Sequence, residues 1–169
     1  MGIKLNGRAI VLLSLAGGLL SGPCGAQVIS EHNVSLQMAK TIAEGALDEC
    51  AKNGHRVVVV VVDRAGQMVV MLRSDGVNPH NFELARRKAY TARTFRQTTE
   101  EFFARSEKAP SNGLRTLPDV VWSGGGGAPI KVGNETIGGV GVSGAPGGTA
   151  DTPCALAGLA RVAGQPGVR

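Results

Sequence analysis

The residues of this 169-residue chain best equipped for metal binding or nucleophilic chemistry are three histidines and three cysteines. His32, His55 and His80 are not at metal-ligand spacing with one another, and Cys24, Cys50 and Cys154 form no C-x-x-C, so a structural zinc site has no support. A single imidazole can still bind a transition metal or haem iron. His32 precedes the first expected helix and His55 begins a strand after a turn, both ordinary surface settings. His80 falls in the first turn of a helix, just after a loop of turn residues. It is the candidate metal ligand, weighed against the commoner solvent-facing histidine.

Two glycine patterns resemble nucleotide or hydrolase motifs and fail on context. Gly139-Val140-Gly141-Val142-Ser143-Gly144 matches G-x-G-x-x-G, but it lies inside an expected strand instead of opening a helix. The chain ends before an acidic residue could follow in a second strand, which excludes a dinucleotide site. Neither glycine run is followed by Lys and Ser or Thr, so no phosphate-binding loop is present. Gly141-Val142-Ser143-Gly144-Ala145 misses the nucleophile elbow by its last residue, and no histidine follows Ser143. The glycines serve turns and close backbone packing.

The elements that must position these residues begin after a targeting segment. Lys4 and Arg8 form a basic start, Ala9 to Leu20 is uncharged and apolar, and Cys24-Gly25-Ala26 offers small residues for cleavage. Residues 1–26 therefore read as a secretory signal peptide cleaved near Ala26; acylation of Cys24 is disfavoured by Pro23. The expected product is an exported protein, periplasmic or extracellular, of 143 residues. It is one domain with no transmembrane segment, because a spanning helix needs about 20 apolar residues. Lys4 and Arg8 are the only charges removed, so the net charge falls from +5 to +3. That is too small to argue for a nucleic-acid partner. Cys50 and Cys154 remain and could pair in an oxidising compartment, but their core-facing positions favour two buried thiols.

Leu36, Ala39, Ala43, Ala46, Leu47 and Cys50 recur at helical spacing after Ser35, an N-cap residue, and Asn53-Gly54 closes the helix. Six consecutive valines, Val57 to Val62, sit poorly in a helix and well in a strand buried on both faces. Asp63 to Gly66 supplies a turn, and Gln67 to Arg73 completes a hairpin. Asn78 and Pro79 open a helix with Phe82, Ala85, Ala89 and Ala92 on its apolar face. Arg86, Arg87, Arg93 and Arg96, with Lys88 alongside, read as a solvated basic face. A short helix is expected over 98–105 and irregular chain over 108–121. Pro129–Val132 and Thr136–Val142 form a second hairpin around Gly133-Asn134, and Asp151 caps a last helix. This gives an α/β fold: an antiparallel sheet built from two hairpins, with helices on both faces.

The blocks VVVVVVDRAGQMVVMLRSDG, ARRKAYTA, GGGGAPIKVGNETIGGVGVSGAPGG and DTPCALAGLA, in that order, resemble the GlcG/HbpS or haem-degrading domain family over essentially the whole mature chain. Where the family has an acidic pair before the cysteine region, this chain keeps Asp151 and continues with Thr152 and Pro153. The resemblance implies a profilin-like or roadblock-like sandwich and symmetric homo-oligomers. It also implies haem binding, which in secreted members is linked to haem degradation and to iron or redox sensing, with a sensor protein as partner. The matching blocks are mainly glycine and core positions and carry over no ligand; His80, which lies between two of them, is the expected axial ligand of haem iron, and Lys88 and Tyr90 are expected pocket residues, the first toward a propionate and the second stacked on the macrocycle or donating a hydrogen bond. Their bland readings are an exposed lysine and a core-edge tyrosine. The alternative is an accessory protein of a catabolic pathway that binds a glycolate-type organic acid without haem.

Overall fold

The computed structural model describes Gly2 and residues 27–108, 113–121 and 124–165. Apart from Gly2, the expected signal peptide lies outside the described residues. Residues 1–30 form one unit, of which 27–30 carry no helix or strand, and residues 31–169 form the other.

In the second unit, the Ser35 hydroxyl accepts the Met38 N–H at 3.2 Å and so starts α1 (Leu36–Lys52). Asn53 ends it, and Gly54 turns the chain at φ +74°. The valine run becomes β1 (Val58–Val62), fully buried, and pairs antiparallel with β2 (Met68–Arg73). The turn between them is closed by Asp63, whose carboxylate accepts the Gln67 N–H and whose backbone N–H bonds the Gln67 carbonyl. Then follow α2 (His80–Phe95), α3 (Thr99–Glu107), a short 3-10 turn over Gly113–Thr116, β3 (Gly127–Val132), β4 (Glu135–Ser143) and α4 (Asp151–Ala160). A capping box between Thr98 and Glu101 starts α3.

The sheet order is β2-β1-β4-β3 and every pairing is antiparallel, so the two hairpins join through their central strands, with Val58 opposite Ser143 and Val62 opposite Gly139. The pleat divides the valine run. Val59 and Val61 face α1 and α4, whereas Val58, Val60 and Val62 face α2 with Ala85 and Ala89. The sandwich read from the sequence is the observed fold. Its α2 layer sits very close to the sheet because a Cβ at Gly139 or Gly141 would run into the carbonyl oxygens of Ala89 and Ala85. The G-x-G-x-x-G pattern is thus a packing feature.

Three expectations are corrected. Cys50 and Cys154 are buried as expected but form a disulfide, because α1 and α4 lie side by side and bring their Cα atoms to 5.4 Å. Their approach depends on small residues: a Cβ at Gly158 would meet the Ile42 carbonyl. Nothing in the separate helix patterns says which helices become neighbours. Asn78 does not cap α2 with its side chain. The Asn78 and Pro79 carbonyls instead accept the N–H groups of Asn81 and Phe82, and the helix begins at His80. Asp151 does not cap α4, for its carboxylate is engaged elsewhere.

Candidate functional site

A break at Ser74-Asp75-Gly76, with Gly76 at φ +69°, aims the start of α2 at the end of the sheet where β4 finishes. Along this helix Asn81, Leu84 and Lys88 fall on one stripe at three- and four-residue spacing. That stripe and the glycine-rich chain leaving β4 enclose a cleft of about 300 Å³. His80 and Asn78 stand among its lining residues, Lys88, Ser143 and Asp151 line it further along, and Gly144, Ala145, Gly147 and Gly148 form one wall.

Lys88 is 2% exposed and Asp151 1%. The Lys88 amine donates to Asp151 Oδ2 at 2.7 Å and to the Val142 carbonyl at 2.9 Å, while Asp151 Oδ1 accepts the Ala145 N–H at 2.9 Å. Each charged group therefore has a hydrogen-bonded partner, as burial demands. Burial pulls the Lys88 amine below its ordinary lysine value, and the neighbouring Asp151 carboxylate offsets part of that effect. Gly126, at φ +102°, lets the backbone pass over this pair, since a Cβ there would lie 3.1 Å from Lys88 Nζ and 2.6 Å from Asp151 Cβ. On the adjoining wall the Ser143 hydroxyl donates to Asn81 Oδ1 at 2.9 Å.

The fold brings two of the three expected site residues to this cleft and leaves the third outside. His80 is exposed among the lining residues and has no hydrogen-bond or ion-pair partner among the described residues. Lys88 lines the same cleft, but its amine is already bound to Asp151, and its burial corrects the reading of an exposed lysine on a solvated face. Tyr90 is half-buried and packs against Gly66 in the β1–β2 turn, where a Cβ would come within 2.9 Å of its ring. His32 is exposed and paired with Glu135 at 2.8 Å, and His55 lines a neighbouring cleft of about 230 Å³ that shares Asn78, Asn81 and Gly144.

The Asp151 partnership and the Asn81–Ser143 bond escape a reading by motif. The signal for the first was present, because Lys88 is three residues after Ala85 and four before Ala92 and so falls on the alanine face. A lysine on a buried face requires an acidic partner, and Asp151 was the acidic residue kept in the family pattern.

A haem group needs an iron ligand, a polar exit for its propionates and apolar walls for the macrocycle. The free His80 imidazole satisfies the first, and the cleft's polar lining suits the second. Leu84 is the one large apolar side chain among the cleft residues, so the fit covers the iron-binding and polar edge of the group. Among the described residues no cluster of three or more His, Cys, Asp and Glu could hold a bare metal ion.

Comparison with known proteins places these features in a wider set. GlcG of Escherichia coli strain K12 is 33% identical over 113 residues, which span 65% of this chain and 81% of GlcG. The crystal structure of HbpS superposes with a TM-score of 0.77 at 35% identity, covering 82% of this chain and 96% of HbpS. That of the PduOC–haem complex gives a TM-score of 0.68 at 26% identity, covering 76% of this chain and 94% of PduOC. The family described as haem-degrading protein, HbpS-like, matches residues 34–160, which hold every element from α1 to α4 as well as the Lys88–Asp151 cleft, and the chain belongs to that family.

Proposed function

We propose that this chain is an exported haem-binding protein in which His80 would hold the group through its iron. Membership of the HbpS-like family and likeness to a PduOC–haem complex support a haem-related function. The observation that carries the assignment of the ligand is the unpartnered His80 imidazole on the cleft. The basic start and apolar run of residues 1–26 support export, and no helix among the described residues is long and apolar enough to cross a membrane. Bound at His80, haem would supply a redox-active iron at the protein surface, the chemistry needed for slow haem degradation or for redox sensing through a partner protein. The chain's own contribution is to present the imidazole from the start of α2 to the cleft. The Lys88–Asp151 pair holds the cleft floor together, and Arg56, exposed in the adjoining cleft, is a cation within the same region for a propionate. Self-association into a symmetric homo-oligomer belongs to the same reading.

Titrating the mature protein, residues 27–169, with haemin tests it. A saturable, shifted Soret band that weakens in His80→Ala is the expected result. Saturation unchanged by His80→Ala discards the ligand and keeps haem, and the absence of saturable binding overturns the reading. The small, polar cleft and the kinship with GlcG favour a second reading in that last case, an accessory protein that binds a small organic acid.

A further inference from the structure

The Lys88 amine stands apart from the chain's other described lysines. Lys40, Lys52, Lys108 and Lys131 are exposed, whereas Lys88 is 2% exposed and still lines an open cleft. A buried ion pair is often replaceable by apolar side chains without loss of stability, so core packing alone gives little reason for a lysine at this position. An amine desolvated by burial at the edge of a cleft is the arrangement that makes lysine a nucleophile, and the carboxylate beside it, though it favours the ammonium, is the group placed to carry the proton. Burial disfavours the ammonium form, and the carboxylate 2.7 Å away can receive its proton. The cleft's volume of about 300 Å³ and its polar lining leave room for a small polar ligand beside Lys88. Asn81 adds a donor: its Oδ1 is taken by Ser143, and its amide N–H groups have no partner among the described residues.

We propose that Lys88 captures a small polar carbonyl compound, an aldehyde or a 2-oxo acid, as a reversible imine in the cleft between α2 and the Gly144–Gly148 wall, with Asp151 moving the protons. The ammonium first gives a proton to Asp151, and the free amine attacks the carbonyl carbon, forming the C–N bond. Asp151 returns that proton to the carbonyl oxygen, giving a hydroxyl. It next takes a proton from nitrogen and delivers it to the hydroxyl, and the C–O bond breaks to release water. Of the three ammonium hydrogens two leave in water and one stays on the iminium. Asp151 is again a carboxylate, so the buried positive charge keeps its counter-ion throughout and no oxidant or reductant is consumed. The Asn81 amide is placed to hold the carbonyl oxygen or a neighbouring carboxylate. This inference goes beyond the haem reading and does not depend on it.

The test is reductive trapping on the haem-free mature protein with glyceraldehyde or pyruvate and cyanoborohydride at neutral pH, followed by peptide mapping. The exposed lysines, whose amines stand in water, are internal controls. Labelling of Lys88 well above Lys52 and Lys131 is expected, because burial disfavours its ammonium form. Asp151→Asn should lower the Lys88 label while leaving the exposed lysines unchanged. Lys88 labelled no more than the exposed lysines, or not at all, overturns the proposal. Glyceraldehyde and pyruvate as separate arms distinguish an aldehyde from a 2-oxo acid. Neither outcome alters the Soret titration, so the two readings fail independently.

Discussion

The Lys88 amine sits 2.7 Å from the Asp151 carboxylate, and this bond ties the middle of α2 to the first residue of α4 across the end of the sheet. Removing one member leaves a buried charge alone, which typically costs about 3–5 kcal/mol. Asp151→Ala should therefore lose stability on that scale, while the double variant Lys88→Met/Asp151→Leu recovers most of it. Urea unfolding at neutral pH gives both numbers. A double variant as unstable as the single would show that the pair is worth more than its replacement.

The same lysine gives stability an alkaline dependence. Burial sets the folded-state value of Lys88 below 10.5, so between the two values the unfolded chain binds a proton that the folded chain has released. Unfolding free energy rises with pH wherever the unfolded state holds more protons. The Lys88 contribution should thus increase with pH across that window and level off above 10.5. Comparison with Lys88→Met/Asp151→Leu isolates it, and parallel curves for the two proteins would remove Lys88 as the source.

The Cys50–Cys154 bridge joins residues 104 positions apart. Cross-linking so long a loop restricts the unfolded chain, and losing a native disulfide from a small secreted domain commonly costs about 2–5 kcal/mol. Cys50→Ala/Cys154→Ala should fall in this range. A reducing agent should lower the urea midpoint of the wild type and leave that of the variant where it is.

Gly141 offers a test of the close sheet–helix packing. Its backbone lies in a strand without positive φ, where replacing glycine by alanine would ordinarily stabilise by about 0.4–1 kcal/mol. Here the new methyl group meets the Ala85 carbonyl and the Ala89 backbone, so Gly141→Ala should destabilise by about 1–3 kcal/mol. Thermal unfolding settles the sign.

The periodic part of the fold was legible because each signal was local. The valine run, the Ser35 cap and the two hairpin turns depend on neighbours in sequence, and their elements lie where expected. Features created by tertiary proximity were not. The disulfide arises from which helix lies beside which, and Asp151, a natural helix-capping residue, was drawn away by a lysine 63 positions earlier. Of the candidate site residues, His80 and Lys88 share a cleft, whereas Tyr90 is turned toward the β1–β2 hairpin because the helix rotates by about 200° between residues 88 and 90.

The cross-link between α1 and α4 also decides what happens when the backbone is cut. Both hairpins, α2 and α3 lie between Cys50 and Cys154 in sequence. A single cleavage anywhere in that stretch makes two fragments, yet each keeps one cysteine of the bridge, so neither can diffuse away until the sulfurs are reduced. In a compartment rich in proteases and poor in reductants, a nicked molecule remains one covalently joined particle.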